Sequence, residues 1–262
     1  MTIQIAAIVL AFNEAKMLSL TLPAIKALVD QVIVVDMGST DGSASLYARL
    51  LSGNDQVVSY AQCNLSQFGF AHARNHGAKF TTAPWLFSID SDEWIDPGQA
   101  FALRREIAAE RCDVLHVLRR NYAGEPGADI EIDQLRATGR FEEETQRRIY
   151  RNRHDVRWEG LIHEEICDRD GNTWQRASRS DLVLHHLAQF KSHSLAEEKN
   201  RLYAYMVLRA AIVPGYRYGT NPFWHSTFIR ENVDYLIGQA NAYAYGHRLP
   251  PYDRSAVERA IA

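Results

Sequence analysis

Two aspartates that flank a serine follow an apolar run of the sequence. Asp90, Ser91 and Asp92 come directly after the residues WLFSI. Carboxylates placed in this way at the end of a buried strand are the hard oxygen ligands that Mg²⁺ and Mn²⁺ prefer and share with phosphates. An alternative is that Asp92 or Asp96 caps the helix predicted at Pro97–Ala109. This segment alone leaves metal binding and helix capping equally open.

Two other charged residues have two interpretations each. Asp36 ends the β-branched run QVIVVD and precedes the turn sequence GSTDG. Its carboxylate either accepts hydrogen bonds from the backbone of that turn or contacts a base or a ribose. Arg74 lies in a helical pattern, where an arginine usually faces solvent. In a crevice it would instead bind a phosphate through two hydrogen bonds.

The elements that must position these side chains alternate along the first 120 residues. Apolar or β-branched runs predict strands, and helical patterns lie between them. The order predicts an α/β fold with a mainly parallel, Rossmann-like sheet and helices on both faces. Ligands of such sheets bind outside the carboxyl ends of the strands. Five polar residues follow predicted strand ends, and we expect them in one crevice: Asn13, Glu14, Asp36, Asp90 and Asp92.

The second half of the chain has a different pattern. Residues 123–140 are rich in glycine and acids and predict a loop or a mobile lid. Strands are predicted at 146–150 and 182–186, and long helices at 195–212 and 223–245. We therefore expect a catalytic domain over residues 1–190 and a helical C-terminal extension, residues 191–262, packed on it.

Composition and short motifs exclude several classes of protein. The 262 residues are 46% hydrophobic and 23% charged, as in globular proteins. A net charge of −3 gives no electrostatic sign of a nucleic-acid partner. Three distant cysteines predict neither a disulfide framework nor a cysteine-rich zinc site. The chain has no Gly-rich dinucleotide or P-loop motif. No apolar run is long enough to span a membrane, so we expect a cytoplasmic protein.

Five segments occur in a familiar order: AIVLAFNEAKML, VIVVDMGSTDGS, FAHARNHGAKFTTAPWLFSIDSDEW, RIYRNRHDVRWEGLIHEEI, and LVLHH with EEKNRL. Over residues 3–210 they resemble the family 2 glycosyltransferases of GT-A fold. The resemblance is nearest to the bacterial subgroup that includes lipopolysaccharide-core glucosyltransferases and peptide S-glycosyltransferases. It implies a metal-dependent, inverting transfer of a sugar from a nucleotide-sugar, in particular a UDP-sugar, to a saccharide, lipid-linked or peptide acceptor.

The resemblance also implies which residues bind the donor. The A-x-N-E loop lines the nucleotide, the aspartate after the second strand contacts the uracil or ribose, and the arginine of ARN lies near the diphosphate. In this sequence the implied donor-binding residues are Phe12, Asn13, Glu14, Asp36, Arg74, Asp90 and Ser91.

The implied metal and catalytic residues come from the DxD, IHE and LHH motifs. Asp92, with Asp90, would hold Mn²⁺ or Mg²⁺, and His185 would complete the metal shell, with His186 as the alternative. Glu164 is the candidate base, and His163 is its neighbour. The late motif departs from the common H-x-G-Y, which leaves the choice between the two histidines open.

Other interpretations remain open at this stage. A nucleotidyltransferase shares the layout, but the first loop, FNEAK, lacks the glycines and basic residues that a triphosphate needs. A non-catalytic nucleotide-sugar-binding protein would require a broken site, although the implied residues are all present. The arginines around Trp158 form either a solvated face or a wall for an acceptor. The C-terminal aromatic residues form a packing face, a dimer contact or a surface that touches a membrane peripherally.

Overall fold

A computed structural model describes residues 4–109, 112–174, 177–216 and 222–261. The strands of this part of the chain are β1 (Ile5–Ala11), β2 (Gln31–Asp36), β3 (Gln56–Ser59), β4 (Trp85–Asp90), β5 (Glu93–Ile95), β6 (Val114–Tyr122), β7 (Phe141–Arg151), β8 (Arg157–Glu159), β9 (Glu165–Cys167) and β10 (Ala177–His186). Its helices are α1 (Ala15–Leu28), α2 (Ser43–Leu50), α3 (Gln62–Ala78), α4 (Ala100–Ala108), α5 (Ile132–Thr138), α6 (His193–Ile212), α7 (Pro222–His247) and α8 (Arg254–Ile261).

Eight of these strands form one central sheet in the order β3-β2-β1-β4-β7-β6-β10-β5. The four strands from β3 to β4 are parallel, and β6 is parallel to β10. Strand β7 enters between β4 and β6 and is antiparallel to both, and β5 is antiparallel to β10. The predicted α/β class with a mainly parallel sheet is confirmed.

Both faces of the sheet are covered. All seven residues of β1 are buried, and they alternate between two apolar layers, as the period of a strand requires. Ala6 and Ile8 share one layer with residues of α3, α6 and α7. Ala7 and Val9 share the other layer with residues of α1 and α4. With both faces buried, polar side chains are left to the strand ends, and this places the site at the carboxyl edge of β1 and β4.

Several elements differ from the sequence-based prediction. Helix α5 lies inside the segment expected to be a loop, and Gly139 ends it in the left-handed conformation, with φ 63°. Strands β7 and β10 are longer than predicted, and the three-residue β5 was not predicted. The boundary at residue 190 stays a prediction, although α6, α7 and α8 follow it. Of the C-terminal aromatic residues, Tyr218 and the side chains of Phe223 and Trp224 lie outside the described part.

Candidate active site

A cavity of about 290 Å³ opens at the carboxyl ends of β1 and β4. Parallel strands present their carboxyl ends at the same edge, so loops that are distant in sequence meet there. Nine of the residues predicted for the site line this cavity: Phe12, Glu14, Arg74, Asp90, Ser91, Asp92, His163, Glu164 and His186. Helices α6 and α7 close it from above through side chains that include Lys199, Tyr203 and Tyr243.

Arg74 lines the cavity and is hydrogen-bonded to three other side chains. The guanidinium donates from Nε to Glu164 Oε1 at 2.8 Å, from Nη1 to Ser88 Oγ at 2.7 Å and from Nη2 to Asp90 Oδ1 at 2.7 Å. It also lies over the ring of Trp158, 5.0 Å from the centroid, and only 3% of the residue is exposed. Trp158 therefore packs against the arginine, and it also lines the cavity.

Asp90 is bound by two arginines. Its Oδ1 accepts from Arg74, and its Oδ2 accepts from Arg148 Nη2 at 3.1 Å. Arg148 also pairs with the fully buried Glu93, at 2.5 Å between Nη2 and Oε1. Burial alone would raise the pKa of Asp90, but the two guanidinium charges outweigh burial and hold the pKa far below its ordinary value. Asp90 is therefore ionised, and both of its oxygens are engaged.

Asp92 faces a lysine that the sequence analysis did not single out. Lys191 Nζ lies 2.7 Å from Asp92 Oδ2 and is also ion-paired with Glu14. Burial alone would raise the pKa of Asp92, but the charge of Lys191 outweighs it and holds the pKa well below its ordinary value. Burial alone would lower the pKa of Lys191, and the two carboxylates raise it instead. Asp92 and Lys191 are therefore an ionised, buried pair.

The two adjacent histidines of β10 point to opposite faces of the sheet, as successive strand residues must. His186 Nε2 lies 3.6 Å from Asp92 Oδ2, and its Nδ1 is 2.7 Å from Asn121 Oδ1. His185 packs instead between Tyr122 and Trp94, with its Nδ1 2.9 Å from the tyrosine hydroxyl. Burial lowers the pKa of His185 to about 4. The structure thus turns His185 away from Asp92 and places the alternative histidine there.

Asn13 and Asp36 lie beside the cavity and hold the turn that follows β2. Asp36 accepts from the backbone of Gly38 and Ser39 through Oδ1 and from the hydroxyl of Tyr47 through Oδ2. Asn13, with φ 54°, accepts from the backbone of residue 40 through Oδ1 at 2.7 Å. Neither residue lines the cavity. Their contacts are those of turn residues, and a contact with the nucleotide stays a prediction.

Glu164 and His163 lie on the loop between β8 and β9 and line the cavity. The carboxylate of Glu164 is 11% exposed and accepts from Arg74. His163 adopts φ 50° and faces the ring of Tyr203 at 6.5 Å. The loop is fixed to α3, because the backbone N–H of Phe70 donates to the carbonyl of Leu161 at 2.9 Å. One arginine thus binds two carboxylates that line the cavity, Asp90 and Glu164.

The fit of a divalent metal depends on Lys191. Carboxylates and an imidazole around Asp92 are ligands of the type that Mn²⁺ and Mg²⁺ accept. Within the described residues, however, no three histidine, cysteine or acidic side chains converge closely enough to hold a metal ion. The position beside Asp92 is taken by an ammonium, and Asp90 is committed to arginines. The types of these side chains suit a divalent metal ion. The position beside Asp92 is open to the ion only after Lys191 has moved away.

Sequence reasoning missed three cations of the site. Arg148 belongs to the arginine-rich stretch, where it was one of several candidates for a solvated face, but its place on the inner side of β7 buries it to 4% exposure. Lys199 stands in the EEKNRL motif, which was recognised without a role for its lysine. Lys191 carries no sequence signal, since its position depends on the short turn Ala188–Phe190 that follows β10.

None of the helices in the described ranges is long and apolar enough to cross a membrane.

Comparisons with known proteins give a family and several distant relatives. The family model of Glycosyl transferase family 2 matches residues 6–169. A TPR repeat-containing protein of Synechococcus elongatus is 26% identical over 170 residues, which are 63% of this chain and 36% of that protein. The chain thus spans about a third of the length of this curated relative.

Two solved structures of S. aureus TarS are similar at low identity. TarS itself gives a TM-score of 0.48 at 17% identity, over 88% of this chain and 43% of that chain. TarS 1–349 in complex with UDP-GlcNAc gives 0.48 at 15% identity, over 98% and 79% of the two chains.

Proposed function

The chain belongs to glycosyl transferase family 2, and we propose that it transfers a sugar from a UDP-sugar to a saccharide, lipid-linked or peptide acceptor. The observation that carries the proposal is the group of three side chains on the wall of one cavity. Arg74 is hydrogen-bonded both to Asp90, of the DxD motif, and to Glu164. In the proposed complex the donor and the acceptor meet in this cavity, beside the two carboxylates.

Basic side chains near the DxD motif could bind the diphosphate that leaves the donor. A nucleoside diphosphate leaves readily only where cations balance the charge that develops on it. Arg74, Lys191 and Lys199 line the cavity and supply such charges. Arg74 uses three donors on protein partners, and a guanidinium carries five, so two N–H groups remain for a phosphate.

The position of Glu164 on the cavity wall suits proton removal from the acceptor. In the proposed step the acceptor atom attacks the anomeric carbon and its proton passes to the carboxylate of Glu164. The bond between the anomeric carbon and the diphosphate oxygen breaks, and the electron pair leaves with the nucleotide. A single displacement inverts the anomeric centre, in agreement with the family resemblance. Arg74, bonded to Glu164, keeps this carboxylate oriented toward the cavity.

Mn²⁺ or Mg²⁺ enters the proposal through Asp92 and His186. These two residues, together with Glu14, would be its protein ligands once Lys191 has left Asp92. A bound divalent cation would stabilise the negative charge on the leaving diphosphate. His185 has no part in this proposal, because it faces the opposite side of the sheet.

A thermal-shift panel tests the choice of donor. We expect a UDP-sugar to raise the melting temperature more than GDP-, dTDP- or CMP-sugars, each with and without Mn²⁺. A donor at about 100 times its Kd adds roughly 2.7 kcal/mol to the free energy of unfolding. Stabilisation by none of the four nucleotide classes would contradict the proposed donor binding.

A matched pair of variants tests the base. Glu164→Gln keeps the shape of the side chain but removes its basicity, so we expect donor binding to persist and transfer to fall by about 100-fold or more. Glu165→Gln is the control, because the neighbouring carboxylate pairs with Arg147. Unchanged transfer by Glu164→Gln would remove Glu164 from this role. Donor binding without transfer or hydrolysis by the wild type would favour a nucleotide-sugar-binding protein.

A further inference from the structure

Lys191 occupies the position that a cation would take at the DxD motif. Its ammonium lies between the carboxylates of Glu14 and Asp92, and the three side chains are 8%, 9% and 3% exposed. Glu14 comes from the loop after β1, and Asp92 from the loop after β4. A single ammonium thus joins two loops that both line the proposed donor site. The same two carboxylates are the hard oxygen ligands that a divalent cation would need.

The contact of Lys191 with Asp92 is close, but the angles at the two atoms are poor for a hydrogen bond. Asp92 Oδ2 is buried, and although the ammonium is 2.7 Å away, this oxygen accepts no hydrogen bond of normal geometry within the described residues. A buried ion pair is stabilising only when directed hydrogen bonds compensate for the lost hydration. The attraction here is one of charge, which a second cation could also supply.

The chain around Lys191 allows its side chain to move without unfolding an element. The residue lies between the short turn Ala188–Phe190 and Ser192, the N-cap of α6. The loop of Asp92 is anchored independently, because its carbonyl accepts from the backbone N–H of Leu187 at 2.8 Å. Release of the ammonium would therefore leave the backbone on both sides of the pair in place.

Charge balance indicates where the released ammonium would go. A divalent cation placed between Glu14 and Asp92 would balance both carboxylates. A diphosphate would bring two negative charges to the same cavity. Lys191, once released, and Lys199, which lies over the ring of Tyr203 at 5.5 Å on the cavity wall, would supply two positive charges. The metal ion would then balance the two carboxylates, and the two lysines would balance the diphosphate.

We propose that Lys191 is an exchangeable counter-charge: it holds Asp92 in the absence of a metal ion, gives up this position to a divalent cation, and then binds the diphosphate of the donor. The last of these steps rests on the proposed function, whereas competition between Lys191 and the cation does not. Lys191 therefore sets the affinity of the site for metal and couples metal binding to donor binding.

Mn²⁺ binding without nucleotide tests the exchange directly. We would measure Mn²⁺ affinity by electron paramagnetic resonance for the wild type and Lys191→Met, with Lys79→Met, which replaces an exposed lysine of α3's C-cap, as the matched control. Loss of the competing ammonium should tighten Mn²⁺ binding about tenfold, a typical coupling between two ligands. Adding Asp92→Asn to Lys191→Met should abolish this gain. Equal Mn²⁺ affinities of the wild type and Lys191→Met, or no binding by either, would overturn the proposal.

Two further measurements keep the test independent of folding and of activity. Lys191→Gln preserves a donor to the carboxylates and serves if the methionine variant does not fold. In the wild type, Mn²⁺ should increase the rate at which an amine reagent labels Lys191, with Lys79 as internal reference. Labelling that Mn²⁺ leaves unchanged or slows would contradict displacement.

Coupling with UDP separates the two proposals. In the wild type, Mn²⁺ affinity should rise on adding UDP, and in Lys191→Met this rise should shrink by about tenfold. An undiminished rise would overturn the move of Lys191 to the diphosphate. If UDP binds no form of the protein, the proposed function fails, while the measurement without nucleotide still decides the competition at Asp92.

Discussion

Arg74 shows how one residue can be both structural and functional. Its guanidinium reaches three side chains on two elements, because Ser88 and Asp90 belong to β4 and Glu164 to the loop after β8. Desolvation of a guanidinium is costly, and only its pairing with both carboxylates and with the hydroxyl compensates for that cost. The residue that would bind a phosphate is thus the residue that positions the candidate base.

Replacement of Arg74 should therefore affect stability as well as binding. Arg74→Met leaves Glu164 without its arginine and Asp90 with Arg148 alone, and breaking a buried pair from one side costs about 3–5 kcal/mol of unfolding free energy. Urea denaturation would measure the loss. Arg105→Met is the control, because its pair with Asp181 is 61% and 82% exposed and such pairs contribute about 0–1 kcal/mol. Similar losses in the two variants would contradict this assignment.

At the scale of elements, Gly69 sets the path of α3. It interrupts the helix with φ 76° and ψ −178°, a conformation essentially restricted to glycine. A Cβ atom at this position would lie 2.3 Å from the Cα of Leu161. The kink therefore allows α3 to touch the loop that carries Glu164, while Arg74, one turn further along, reaches the same carboxylate.

Gly69→Ala should destabilise the protein and reduce transfer. Backbone strain of this kind costs about 1–3 kcal/mol, and the clash with Leu161 adds to it and displaces the loop of the candidate base. Gly53→Ala isolates the strain, since Gly53 also has a positive φ of 65° but no atom within 4 Å of the added Cβ. Thermal unfolding should show the larger loss for Gly69→Ala. Equal losses would mean that the close approach to Leu161 is unimportant.

Asp30 should make the stability of the junction between β1, α1 and α4 depend on pH. Burial alone would raise its pKa, but hydrogen bonds from Arg104 and from the backbone of Gln4 and Ile5 outweigh burial and lower it. A carboxyl whose pKa is lower in the folded state contributes stability above its ordinary value of 3.8, and loses this contribution as the pH falls through the folded value. Asp30 should thus stabilise the junction of β1, α1 and α4 at neutral pH.

Asp30→Asn provides the measurement. The variant should be less stable than the wild type at pH 7 by about 1–2 kcal/mol, because charge-assisted hydrogen bonds are lost. The difference should narrow as the pH falls from about 5 to below 3.8, since the wild type then loses the same contribution. Unfolding curves of both proteins at a series of pH values would measure this difference in unfolding free energy. A difference that stays constant between about pH 5 and pH 3 would show that the ionisation of Asp30 does not cause it.

Elements differ in how far the sequence predicts them. Strands β1, β2 and β4 are continuous apolar runs, and polar residues mark their ends, so both the strands and the edge that carries the site were predictable. The place of β7 between β4 and β6 was not predictable, because pairing between strands that are distant in sequence leaves no local pattern. Whether His185 or His186 faces Asp92 depends on the register of β10, because a shift of one residue moves each side chain to the other face of the sheet.

At the scale of the whole molecule, the C-terminal helices belong to the core of the sheet. Ala6 and Ile8 of β1 are in the same buried cluster as Leu202 and Met206 of α6 and Leu236 of α7. Helices α6 and α7 also provide the wall of the cavity above the strand ends, including Lys199 and Tyr243. The helical extension thus packs against α3, which lies on the sheet, and also forms a wall of the site.

This packing predicts that residues 1–190 do not form an independent unit. Removal of α6 and α7 would expose to water the apolar side chains of α3 and of the cavity wall that these helices cover, at about 25 cal/mol for each Å² exposed, and the margin of an ordinary domain is only about 5–15 kcal/mol. We expect the fragment to bind a hydrophobic dye and to lose cooperative unfolding. A chain that ends at residue 253 lacks only α8 and should still unfold cooperatively at a lower temperature. A fragment 1–190 that unfolds cooperatively and binds UDP would instead establish the boundary at residue 190 as a true domain boundary. Loss of both properties would mean that α6 and α7 complete the donor site as well as the core.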